Sequence, residues 1–150
     1  MIKLRYAKPK DLGSIVDFQQ RMATETEGLQ LDTHVLIKGI EAVLRDNTKG
    51  RYLIAVSGTK PVGMLLTTYE WSDWQNGTVI WIQSLFVENE FRRKGVFKKM
   101  YQYLKEQVLS DSALKGIRLY VDKTNTKAIE TYNSIGMNGD HYQTFEWMKA

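Results

Sequence analysis

Residues Trp81-Ile82-Gln83-Ser84-Leu85-Phe86-Val87 make a β-rich run, and Arg92-Arg93-Lys94-Gly95-Val96-Phe97-Lys98-Lys99 follow it after a short polar link. From Phe97 the apolar residues Phe97, Met100, Tyr101, Leu104 and Val108 recur at the spacing of one helix face. Gly116 then opens another β-rich run, Ile117–Val121. Strand, helix and strand in this order predict a β-α-β unit. Strands 78–87 and 117–121 should therefore lie parallel with a right-handed crossover.

Upstream, Ile2–Ala7 alternates like a strand, and Pro9 and Asp11 precede Leu12, Ile15, Val16, Gln19 and Met22 at helical spacing. The polar stretch Thr24–Gln30 is expected to be an exposed loop. Asp32 is a candidate cap for a second helix whose apolar side holds Leu36, Ile40, Val43 and Leu44. Arg51–Ser57 and Val62–Glu70 are β-rich runs joined by Gly58-Thr59-Lys60-Pro61, and Asn76-Gly77 separates another pair. Consecutive antiparallel hairpins follow. Downstream, a short helix from about Thr126 to Ile135, stopped by Gly136, leads to a last expected strand, Tyr142–Met148. The order predicts a mixed α/β (α+β-like) sandwich in one domain over 1–150. Its sheet would be mostly antiparallel, of about six strands, with one parallel crossover and helices on both faces.

A chain of 150 residues with 43% hydrophobic content suits one core-forming domain. No apolar run approaches the ~20 residues of a membrane span, and Met1–Tyr6 lacks signal-peptide character, so a soluble cytoplasmic protein with no membrane partner is expected. The absence of cysteine excludes disulfides, thiolate zinc sites and a covalent cysteinyl intermediate. His34 and His141 have no matching ligands nearby in sequence, so no metal is expected. The net charge of +4 is small and the acids are dispersed, which argues against a nucleic-acid partner. The basicity is local: five of the eight residues 92–99 are cationic.

A helix that starts just after a strand offers unpaired N–H groups and a positive end to a phosphate, although a basic helix start can also simply face water. Neither the Gly-x-x-x-x-Gly-Lys-Ser/Thr loop nor Gly-x-Gly-x-x-Gly is present, which weakens the case for nucleotide hydrolysis and for hydride transfer. Arg92-x-x-Gly95 after the strand 81–87 instead resembles the Gln/Arg-x-x-Gly-x-Gly/Ala motif of the GNAT superfamily of N-acetyltransferases. Asn125-x-x-Ala128-x-x-x-Tyr132-x-x-x-Gly136-Met137 is similar to that family's second signature, with Met137 in place of its usual Phe. Phe97 departs from the first motif, where Gly or Ala is usual.

The resemblance implies acetyl-CoA as cosubstrate and direct transfer of its acetyl group to a primary amine in a ternary complex. The amides of Lys94, Gly95, Val96 and Phe97, with Arg92 and Arg93, would cradle the pyrophosphate. Lys98 and Lys99 would add charge near the 3′-phosphate or face water. Backbone groups of Leu85, Phe86 and Val87 would meet the pantetheine arm and supply the oxyanion donor. Tyr132 would sit beside the thioester sulfur as the acid for the departing thiolate, or else be a core aromatic. Asn125 would lie near the cofactor arm or cap its helix.

The chemistry also calls for a base, for which Glu25 and Glu70 are candidates, with a water chain as the alternative. The tryptophan-rich hairpin, with Trp71, Asp73, Trp74 and Trp81, together with Glu27 and Gln83, could hold a cationic amine. That amine could be a small molecule or a lysine or N-terminal amine of a peptide. The same tryptophans could instead stabilise the hairpin or fill a homodimer contact. A second hypothesis is a non-catalytic module of the same fold that binds acyl-CoA or nucleic acid.

Overall fold

The computed structural model describes residues 1–150, which fall into two units, Met1–Leu119 and Tyr120–Ala150. The first holds strands β1 (Ile2–Tyr6), β2 (Arg51–Ser57), β3 (Lys60–Ser72), β4 (Gly77–Val87) and β5 (Leu114–Leu119). Its helices are α1 (Leu12–Glu27), α2 (Thr33–Arg45) and α3 (Val96–Ser110). The sheet order is β1-β2-β3-β4-β5, antiparallel throughout except for the parallel β4–β5 pair. The sheet thus has five strands, and the expected β-α-β crossover is formed by β4, α3 and β5.

β2 explains the layering. Tyr52, Ile54 and Val56 join Ile15 and Phe18 of α1 and Ile40 of α2 in one core, while Leu53 and Ala55 join Val96, Met100 and Leu104 of α3 in another. Alternate residues of one strand point to opposite faces, so a strand covered by helices on both sides reads as a continuous apolar run. The buried carboxylate of Asp11 fixes how α1 leaves β1: it accepts from both guanidinium nitrogens of Arg5 (2.7 and 2.9 Å) and from the Lys8 N–H (2.7 Å).

β4 changes phase at a bulge. Thr67 pairs with Ile82 and Leu66 with Ser84, so Gln83 is an extra residue opposite no partner on β3. As a result Ile82 faces the α3 core while Phe86, four residues later, faces α1 and α2.

Thr24–Glu27 is helical rather than part of a loop. Thr24 and Thr26 donate their hydroxyls to the carbonyls of Gln20 (3.0 Å) and Met22 (2.8 Å), so polar side chains are satisfied within the helix. Left-handed Gly28 (φ +62°) ends it. Asp32 caps α2 as expected, accepting from the Val35 N–H at 3.2 Å.

The second unit contains α4 (Thr126–Ser134). The expected strand Tyr142–Met148 is not formed: residues 137–150 hold no regular element. Tyr142, Phe145, Trp147 and Met148 occupy both parities of an extended chain, so no one face is marked for burial, and all four are exposed.

Candidate functional site

The parallel β4–β5 ladder runs from Thr78 to Ile82 and goes no further, whereas β4 continues to Val87. Beyond Ile82 this strand is paired on its β3 side only, from Ser84↔Leu66 to Val87↔Gly63. The stretch 85–87 therefore borders an open backbone edge next to the bulge that Gln83 creates; its outward groups are those of Leu85 and Val87, and the Val87 carbonyl accepts from Arg92. Gln83 itself is exposed, and its amide donates to Thr68 Oγ1 at 2.9 Å. An extended ligand carrying amides can pair with such an edge as a further strand would.

A 3-10 turn, Asn89–Phe91, leads from this edge to the basic segment. Arg93 (φ +61°) and Gly95 (φ +79°) are both left-handed, and α3 begins at Val96. The first hydrogen bond of the helix runs from the Lys99 N–H to the Gly95 carbonyl, at 3.0 Å. The preceding amides, those of Val96, Phe97 and Lys98, come too early for an intrahelical acceptor and point out of the helix end. No atom lies within 4 Å of where a Gly95 Cβ would stand, so the approach to the turn is unobstructed there. Amides, helix end and cations together suit a phosphate.

The side chains of this segment divide. Val96 is buried in the α3 core, and Phe97 packs against that core with its ring centroid 6.1 Å from Tyr101. The larger residue at 97 thus has a place in the apolar layer. Lys94 Nζ lies 5.7 Å from the Phe91 ring centroid, Lys98 is exposed and Lys99 donates to the Ile2 carbonyl. Arg92 folds back towards α1: its Nε donates to the Val87 carbonyl (2.7 Å) and its Nη2 to Glu25 Oε2 (2.8 Å).

Between α1 and β4 lies an arrangement with no signature in the sequence. Phe86 stacks on Phe18 with centroids 5.2 Å apart, and the guanidiniums of Arg21 and Arg92 stand 4.8 and 5.3 Å from its ring. Arg21 forks onto Glu88, which holds that carboxyl below its ordinary range, and also pairs with Asp17 at 3.2 Å. Deeper in, Gln19 donates to Ser84 Oγ at 3.0 Å. Apart from Arg21–Asp17 and Arg92–Phe86, these pairs join residues more than sixty positions apart, so neither spacing nor composition could have revealed them.

A surface groove of about 720 Å³ adjoins the Arg92–Glu25 pair, lined among others by Gln20, Arg21, Thr24, Glu25, Leu29 and Thr33. Gln20 shapes it, since its amide donates to the Leu31 carbonyl (3.0 Å) and accepts from the Leu31 N–H (3.1 Å). Glu27, the last residue of α1, is exposed.

The tryptophan-rich hairpin does not gather into one pocket. Trp81 Nε1 donates to Glu70 Oε1 at 2.6 Å, and Arg118 of β5 donates to both oxygens of the same carboxylate at 3.0 and 2.9 Å. Trp71 follows Glu70 in the strand and so points to the other face, 65% exposed, while Trp74 and Asp73 stand exposed in the turn. The Trp81 hydrogen bond, then Arg118, hold the Glu70 carboxyl below its ordinary range. A carboxylate held in this way is a weaker base, which counts against Glu70 in the role expected for it.

In the second unit, Asn125 caps α4 by accepting the Ala128 N–H at 3.1 Å. Tyr132 is partly buried, and burial pushes its phenol pKa up. No group of three or more His, Asp or Glu side chains is placed to hold a metal ion, and no helix is long and apolar enough to cross a membrane.

A mixed sheet opened beside its parallel pair, with a left-handed glycine turn at the open end, is the framework of a class of acetyltransferases. The model of the acetyltransferase (GNAT) family matches residues 15–137, and the chain belongs to that family. Among solved structures, a possible acetyltransferase from Clostridium difficile 630 is 42% identical, with a TM-score of 0.93 over 100% of this chain and 99% of that one. The aminoglycoside N-acetyltransferase AAC(6')-Iy in complex with CoA shares the fold at 12% identity, with a TM-score of 0.81 over 100% and 96% of the two chains. An aminoglycoside acetyltransferase from an uncultured soil metagenomic sample, in complex with sisomicin, does so at 18% identity, with a TM-score of 0.76 over 99% and 96%. A search of curated proteins returns no match.

Proposed function

We propose that the protein transfers the acetyl group of acetyl-CoA to a primary amine by direct attack within a ternary complex. The observation that carries this reading is the open β4 edge from Gln83 to Val87, which leads directly into the left-handed turn and the α3 N-terminus. In this reading the edge receives the pantetheine amides, and the amides of Lys94 to Phe97, with Arg92 and Arg93, hold the pyrophosphate. Lys98 adds charge at the rim. The backbone N–H of Leu85, which points away from β3, meets the carbonyl oxygen as it becomes negative.

The amine nitrogen bonds to the acetyl carbon, the carbon–sulfur bond breaks, and Tyr132 supplies a proton to the departing thiolate. The role rests on the match of Tyr132 to the family's second signature; burial raises its phenol pKa, which keeps the proton in place and makes it a weaker acid than a free tyrosine. Asn125 orders the start of α4 and so the placing of Tyr132. Glu25 takes up the proton that the amine loses, directly or through water, at the groove it lines. Glu70 and Trp81 brace the hairpin instead, while Trp71, Asp73 and Trp74 form an outer surface for a larger acceptor.

The chain has no thiol of its own, so CoA release can be read with a thiol reagent against a blank protein background. The expected result is amine-dependent release with at least one cationic acceptor in a panel of aminoglycosides, polyamines, amino acids and lysine peptides. CoA binding without release across the whole panel would overturn the enzymatic reading.

A further inference from the structure

The Arg92–Glu25 ion pair occupies both ends of the proposed site at once. Arg92 stands in the phosphate turn, immediately before left-handed Arg93, and Glu25 lines the groove on the α1 side. Their 2.8 Å contact ties a cation suited to the cofactor to an anion suited to the acceptor. Both side chains are about 40% exposed, so water reaches the pair and partner exchange requires no unfolding.

We infer that this pair is a switch that couples the two substrates: the cofactor's phosphates draw Arg92 away from Glu25, and the released carboxylate then receives a cationic amine. The inference rests on the acetyltransferase reading and adds to it a coupling between the two substrates through one ion pair. A pyrophosphate carries more charge than one carboxylate and is held by the helix-end amides as well, so it wins the guanidinium. Arg92 does not have to leave the site to make the exchange. Its Nε bond to the Val87 carbonyl and its position over the Phe86 ring can persist while Nη2 changes partner. Arg21 cannot take its place beside Glu25 without breaking its fork onto Glu88. Glu25 is thus compensated before the cofactor arrives and carries unbalanced negative charge afterwards. By linkage, whatever CoA binding does for the cationic acceptor, the acceptor does equally for CoA.

The test is calorimetric titration of the full chain with CoA, comparing wild type, Glu25→Gln, Arg92→Ala and the double variant. Glu25→Gln removes the competitor for Arg92, and CoA should bind about two- to fivefold more tightly, the fold-change that corresponds to one exposed ion pair. In the Arg92→Ala background the same substitution should leave CoA affinity unchanged. In turnover assays Glu25→Gln should raise KM for a cationic amine and, because Glu25 is also the proposed base, lower kcat. An unchanged or weaker CoA affinity in Glu25→Gln overturns the switch. So does a gain that persists without Arg92, which would reflect only the loss of a nearby negative charge. Glu25→Ala repeats the measurement with a side chain that cannot accept a hydrogen bond. If wild type binds CoA, these outcomes concern the switch alone. If wild type binds no CoA, the acetyltransferase reading itself falls.

Discussion

At the scale of single residues, the surroundings of a side chain set how readily it gives or takes a proton. Burial raises the Tyr132 phenol, so the group holds its proton more tightly and gives it up less readily than a free tyrosine. Tyr132→Phe should lower kcat by about 100-fold while leaving the dissociation constant for CoA nearly constant, as steady-state rates and titration would show. Unaltered kcat would remove Tyr132 from the acid role. The Glu70 carboxyl is lowered instead, since its oxygens accept from Trp81 and Arg118. Sequence could mark both as candidate acid–base groups, but it could not say how the folded surroundings would shift either one. Arg21 and Glu88 were illegible for a related reason: their fork spans 67 positions, and nothing local announces it.

At the scale of elements, the strand, turn and helix around Gly95 were legible because each depends on local chemistry. An apolar run, a glycine and a helical repeat are all visible within a few residues. Gly95 is required by its backbone angle of +79° and not by crowding, because no atom lies within 4 Å of an added Cβ. Gly95→Ala should therefore cost about 1–2 kcal/mol in chemical denaturation and weaken CoA binding by tilting the first amides of α3. Equal stability of the variant would show that the turn relaxes without strain. The bulge at Gln83 escaped the sequence because Ile82, Ser84 and Phe86 look like one face of a simple strand, and only pairing with β3 reveals the added residue. Glu25 was misplaced in a loop because threonines near a helix end read as turn formers until their hydroxyls find carbonyls one turn back.

At the scale of the whole molecule, charge sets the response to acid. The Arg5 guanidinium holds Asp11 low, Arg21 does the same for Glu88, and Trp81 with Arg118 does so for Glu70. A lowered carboxyl pKa favours the folded state wherever the group is ionised. That contribution is complete above the unfolded value of about 4 and disappears as pH falls through the lower folded value. Urea midpoints should fall between pH 5 and pH 2, and Asp11→Asn should lower the midpoint at pH 7 and flatten the acid decline. The fold class was readable at this scale because hairpins and a single crossover leave few topologies open. The segment 142–148 was not readable, since a strand's existence depends on a neighbour that its own residues do not specify. The alternation of side chains along the central strands has one more effect. β2, β3 and β4 each send side chains into both apolar layers, so neither layer within Met1–Leu119 can lose its packing while the other keeps it. That unit should come apart in one cooperative step, with α1 and α3 melting together although no core residue of one belongs to the core of the other.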